Sequence, residues 1–75
     1  NYQTHNVILW IQNDPYLYGT AAECDSYDEF KSYLLEIYSG DALAYQTFDG
    51  VAWNDSGIDL DEVNDFWVDN FKQVV

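Results

Sequence analysis

Cationic side chains are nearly missing from this 75-residue chain: Lys31 and Lys72 stand against fourteen Asp and Glu, for a formal charge of −12. Phosphate contacts require Lys and Arg, so direct binding of nucleic acid is disfavoured, and so is docking on an anionic membrane surface. Cysteine is scarce too. With Cys24 alone and one histidine, His5, the chain forms no internal disulfide and offers no Cys/His set for zinc. The longest apolar run, residues 7–11, falls far short of the ~18 residues that a membrane-spanning helix needs. No basic segment leading into an apolar one marks a signal peptide, and no repeat, low-complexity stretch or linker divides the chain. The expectation is one soluble domain over residues 1–75, in the cytoplasm, without metal or cofactor.

Aromatics are what the chain has in abundance. Three Trp, seven Tyr and four Phe each bury roughly 150–250 Å² when packed, which suits a domain near the size where a single core is only just sufficient. Acids are spread through a sequence that is 48% hydrophobic, so the charge does not signal a disordered tail.

Four helices are expected. Thr4 fits the N-cap of the first, with Val7, Ile8 and Ile11 as its inner stripe and Trp10 widening it. Pro15 stops that helix near Asn13 and opens the next, with Asp14 as N-cap and Pro15 at the first helical position. This second helix, residues 15–23, has a thin inner face of Leu17, Ala21 and Cys24 and is weakened by Gly19. Ser26 and Glu29 form a capping box for a third, residues 27–39, which carries Tyr27, Phe30, Leu34, Ile37 and Tyr38 at helical spacing and stops at Ser39-Gly40. Residues 43–53 read two ways. Asp49-Gly50 is a two-residue hairpin signal, and a short helix from Asp41 followed by a loop competes with it. Residues 54–57 are turn chemistry, and Asp59 caps a last helix over residues 60–73. The fold class is mostly α: a compact four-helix domain with a short β-hairpin or irregular segment around 43–53.

That last helix combines two unlike faces. Leu60, Val63, Trp67 and Phe71 share one side, while Asp61, Asp65 and Asp69 recur every four residues on the other, about 6 Å apart along the axis, with Glu62 beside them. Like charges at that spacing cost an isolated helix roughly 0.2–0.5 kcal/mol per pair. Asp59, Asp61 and Glu62 have a structural reason, since the helix dipole favours negative charge in the first turn. Asp65 and Asp69 have none, and only Lys72 is placed to offset Asp69. Solvation of an exposed face is the plain alternative. A second acidic cluster, Glu23, Asp25, Asp28, Glu29 and Glu36, tips the balance towards function.

The opening Asn1-Tyr2-x-Thr4-x-Asn6-Val7-x-Leu9-Trp10-Ile11-x-Asn13-Asp14 resembles the start of a family of small uncharacterised proteins of bacteriophages and some bacteria. The later Asp49-Gly50-Val51 resembles a second signature of that family. The resemblance implies a phage or phage-like origin and brings no activity or catalytic residue with it. His5 and the strength of the negative charge depart from the family pattern.

Catalytic chemistry finds little support. Asp61/Asp65 and Asp65/Asp69 have acid–base spacing, but an exposed helix face lacks the desolvated cleft that separates two carboxyl pKa values; no enzyme is expected. Asn54-Asp55-Ser56-Gly57-Ile58-Asp59 imitates a calcium loop, yet aligning Gly57 at the sixth position puts Ala52 first and Val63 twelfth, where an acid is required. An irregular cation site among Asp55, Asp59 and Glu62 stays open. His5 reads as an exposed first-turn residue and Cys24 as a small buried one. Trp10, Phe30, Trp67 and Phe71 lie at core spacing. Tyr2, Tyr16, Tyr18, Tyr33 and Tyr45 are too many for the interior, and tyrosine suits interfaces.

Two function classes follow. The first is a DNA- or RNA-mimicking inhibitor of a host or defence protein, acting on that partner's basic nucleic-acid-binding surface through Asp61, Asp65, Asp69, Glu62, Asp28, Glu29, Glu36 and Tyr33. The second is an adaptor or homodimeric module that uses an aromatic patch, with the acidity serving solubility.

Overall fold

The computed structural model describes residues 1–38, 41 and 44–72, and its first helix begins earlier than the sequence suggests. Helix α1 (Tyr2–Asn13) is capped by Asn1, whose side chain accepts from the Thr4 amide at 2.8 Å. Thr4 is therefore not the cap. It lies wholly buried inside the helix, where its hydroxyl accepts from the Asp59 amide at 2.8 Å. Asn1 also donates to the Gly57 carbonyl at 2.6 Å. Two polar residues thus pin the start of α1 to the approach of the last helix.

Local signals set the next two helices. Helix α2 (Pro15–Ala22) starts as expected, with the Asp14 carboxylate accepting from Tyr16 N and Leu17 N at 2.9 and 3.1 Å. Leu17, Ala21 and Cys24 are buried beneath it. Helix α3 (Tyr27–Ile37) is capped by Ser26, which accepts from Glu29 N. The other half of the expected capping box is displaced: Glu29 accepts from the Asp25 amide at 3.0 Å, one residue outside the cap. Ile37, expected to face inward, is 42% exposed. The expected stop at Ser39-Gly40 lies outside the described residues, as does Leu43.

Helix α4 (Leu60–Phe71) is capped by Asp59, which accepts from Glu62 N at 3.2 Å. Its buried residues are Val63, Phe66 and Trp67, spaced i, i+3, i+4, so the inner stripe is turned towards Phe66 from its expected line. Leu60, expected on that stripe, stands at the first helical position and is exposed. The expected end at Gln73 is outside the described residues. Among the described residues no helix is long and apolar enough to cross a membrane.

Trp67 is the hub of the core. Its ring lies 5.5 Å from Phe30, 5.9 Å from Tyr27 and 5.2 Å from Phe71 between centroids, and its indole donates to the Cys24 carbonyl at 3.0 Å. Phe30 meets Trp53 edge-on at 5.5 Å. Aromatic pairs of this kind contribute ~0.5–1.5 kcal/mol beyond the area they bury, which helps so few residues make a core.

Trp53 comes from the segment that the sequence left ambiguous, and that segment is a small hairpin. Thr47 N donates to Val51 O at 2.8 Å, Gly50 N to Thr47 O at 2.9 Å, and Gln46 pairs antiparallel with Ala52. Gly50 takes φ +88°, a left-handed conformation that glycine adopts without penalty. The loop therefore spans three residues, 48–50, rather than the two expected, and the glycine closes it. Tyr45, Val51 and Trp53 fill the interior. Tyr45 is thus a core residue whose hydroxyl donates to the Lys31 carbonyl at 3.1 Å, not part of a surface surplus.

Candidate functional site

The outer face of α4 carries Asp61, Glu62, Asp65 and Asp69, all exposed. Asp61 and Glu62 sit in the first turn, where they complement the dipole, and no basic residue occupies the last turn. Lys72, expected to offset Asp69, reaches instead to Asp25 at 2.6 Å. Its ammonium lies on the α2–α3 connection because α3 and α4 pack together, and there its hydrogen bond and charge hold the Asp25 carboxyl below the usual carboxylate range. The other lysine pairs with Asp28 at 3.2 Å, one turn back on α3. Both cations are engaged elsewhere, so the row on α4 faces solvent with no cation beside it among the described residues. Val68, 54% exposed, adds an apolar contact point within the row.

A second acidic feature is concave. Between α2 and α3 lies a groove of about 320 Å³, with Glu23 on one wall, Glu29, Ser32, Tyr33 and Glu36 on the other, and Cys24 at its base. Residues 29, 32, 33 and 36 share one face of α3 by helical spacing. The structure therefore brings three of the expected site residues, Glu29, Tyr33 and Glu36, to one groove. It adds Glu23, which the sequence placed in the cluster but not in the site. Asp28 is not in the groove. Burial pushes the Cys24 thiol up, and the charges of Glu29, Glu23 and Asp25 push the same way, which disfavours the thiolate.

Other acids are absorbed by the fold. Asp14 and Asp59 cap helices, and Asp55 accepts from the Gly57 amide at 2.7 Å. Asp55, Asp59 and Glu62 do not form the cation site left open above; no group of three or more metal-binding side chains assembles among the described residues. Asp49 accepts from Asn6 Nδ2 at 2.7 Å and from Trp10 Nε1 at 2.8 Å, while Thr47 donates to Asn6 Oδ1 at 2.6 Å. These two donors hold the Asp49 carboxyl below the usual carboxylate range. Asn6, Trp10, Thr47 and Asp49 thus form the junction that fastens the hairpin to α1.

Aromatic side chains make a third surface. Tyr2, Tyr16, Tyr18 and Tyr33 are exposed, as expected. Phe48 at the hairpin tip is 83% exposed and packs against Trp10 at 5.0 Å. Trp10 and Phe71, expected in the core, are half-buried at its margin.

The described residues are therefore a small four-helix domain with an aromatic core and an outer row of carboxylates on α4 that neither lysine pairs with. The chain belongs to a family of unknown function, DUF7249, which it matches over residues 1–73. No curated protein and no solved structure matches it.

Proposed function

We propose that this protein is a small phage-type inhibitor that binds the basic, nucleic-acid-binding surface of a host or defence protein, with carboxylates standing in for phosphates. The observation that carries this reading is the row Asp61, Asp65 and Asp69 with Glu62, left without a cation while both lysines pair elsewhere. Lys and Arg shaped to neutralise a polyanion are steered to such a face and release their own counterions on binding. Glu23, Glu29 and Glu36 around the α2–α3 groove extend the negative surface, and Tyr33 supplies short-range contact. Asp28 contributes less, because Lys31 pairs with it. The role is binding rather than catalysis, and its place is the host cytoplasm.

The test is capture of partners from host lysate with the wild-type chain and with the D61N/D65N/D69N variant, followed by competition against DNA or RNA. Partner affinity should fall at least ~10-fold between ~50 and ~200 mM salt, and the variant should lose most of it while folding normally. A partner held equally well by the variant and at high salt would sink the proposal. The exposed Phe48 against Trp10 favours a second reading, an adaptor or homodimer that uses the aromatic patch. For that reading F48A abolishes capture and the triple Asn variant does not.

A further inference from the structure

We propose that the cleft between the start of α2 and the hairpin receives an arginine side chain of a partner protein. The cleft holds about 250 Å³ and is bordered by five aromatic residues, Trp10, Tyr16, Tyr38, Phe48 and Trp53. That volume is just below the roughly 300–1,000 Å³ of pockets for drug-sized ligands, so it takes one long side chain. Its rim is accessible: Tyr16 is 60% exposed and Phe48 83%. No described residue of α4 borders it, and the proposal does not rest on the carboxylate row there.

Charge selects a cation. Asp14 borders the cleft, and both of its cap bonds, from Tyr16 N and Leu17 N, go to the same oxygen, Oδ1. A second carboxylate, that of Asp49, accepts from Trp10 Nε1 at 2.8 Å. A hydrogen bond to an anion polarises the indole and makes its ring a better partner for positive charge. Both lysines pair elsewhere, with Asp28 and Asp25, and neither borders the cleft. The attraction needs no direct contact, since screening at physiological salt sets in over about 8 Å.

The walls select among cations. A lysine ammonium or a metal ion is compact and strongly hydrated, and aromatic walls do not replace the water it gives up. A guanidinium is flat and weakly hydrated, and it stacks on aromatic rings while its N–H groups point outward in its own plane. Asp14 and Gln46, both at the border, are acceptors of the kind those groups need. Free arginine is a poorer occupant, because its α-carboxylate meets a chain of charge −12, whereas an arginine within a protein has none. The surface also continues past the cleft. Trp10 borders a neighbouring apolar depression with Leu9 and Asn13, which offers contact to the residues flanking that arginine.

The probe is N-acetyl-arginine N-methylamide, titrated into ¹⁵N-labelled protein while the three indole N–H resonances are followed. The Trp10 signal should shift saturably and the Trp67 signal stay in place. The citrulline analogue, of the same shape without the charge, should bind at least ~5-fold more weakly, and the lysine analogue at least ~3-fold. D14N keeps the cap, because Asn serves there as well as Asp, and should weaken binding about 3-fold. D65N removes the same charge from α4 and should leave affinity unchanged. F48A, at an exposed position, should weaken binding about 3-fold with the fold retained. A Trp10 resonance that the arginine probe does not move overturns the proposal. So does a citrulline or lysine analogue that binds as tightly as the arginine one. Equal losses in D14N and D65N also overturn it, because they would trace the binding to the field of the whole chain.

Discussion

Asp49 and Asp65 are both exposed aspartates, and they do opposite things. Asp49 gathers the donors of Asn6 and Trp10 onto one carboxylate oxygen and so joins two segments 43 and 39 residues apart in sequence. Asp65 touches no donor, and its helical neighbours one turn away on either side are Asp61 and Asp69. The first is an acid that the fold uses; the second is an acid that the fold tolerates. Formal charge does not distinguish them. What separates structural from available carboxylates on this surface is whether a donor from a distant element is aimed at the oxygen.

Breaking the junction should have the largest effect. Asn6→Leu leaves the buried Thr47 hydroxyl without its acceptor and Asp49 with Trp10 as its one remaining donor, and should destabilise by ~1–3 kcal/mol in urea unfolding. A loss near zero would mean that the hairpin is held by Trp53 and Val51 packing alone. Removing a cap comes next: Asp59→Ala should cost ~0.5–2 kcal/mol by the same measurement.

The junction also has a signature in pH. Since the folded-state pKa of Asp49 is depressed, its stabilisation is present above the unfolded value of ~3.9 and is lost as pH falls through the folded value. Unfolding free energy of D49N should therefore depend less steeply on pH below ~4, and a slope equal to that of the wild type would remove Asp49 from the structural set. The smallest change is expected at the contrasting residue. D65N relieves repulsion with Asp61 and Asp69 and should raise stability by ~0.2–0.5 kcal/mol per pair at low salt, an increment that added salt erases. Destabilisation by D65N would show that Asp65 belongs with Asp49 after all.

Much of the fold was legible because its signals are short. Asp14-Pro15, Ser26 with Glu29, and Asp59 each act within one helical turn, so caps and helix starts read correctly from neighbours alone. The misreadings share one cause. Thr4 has the chemistry of a cap, but Asn1 takes that role and Thr4 turns to Asp59, 55 residues away. Lys72 has an acid three residues before it and pairs with one 47 residues away. Tyr45 looked like surface surplus until the hairpin carried it inside. In each case two partners of equal local merit compete, and packing chooses. The expected site shows the same division: the α4 row follows from helical periodicity, whereas the inclusion of Glu23 and the separation of Asp28 depend on how α2 lies against α3.

By itself the sequence determined the helical class, the N-caps of α2, α3 and α4, an aromatic core and a surface of one sign of charge, because propensity, periodicity and composition are properties of the chain within a turn or two. Tertiary structure decided which acids are spoken for and where the two lysines go. Those outcomes depend on distances between segments some 40 to 55 residues apart, and only the packed core fixes such distances.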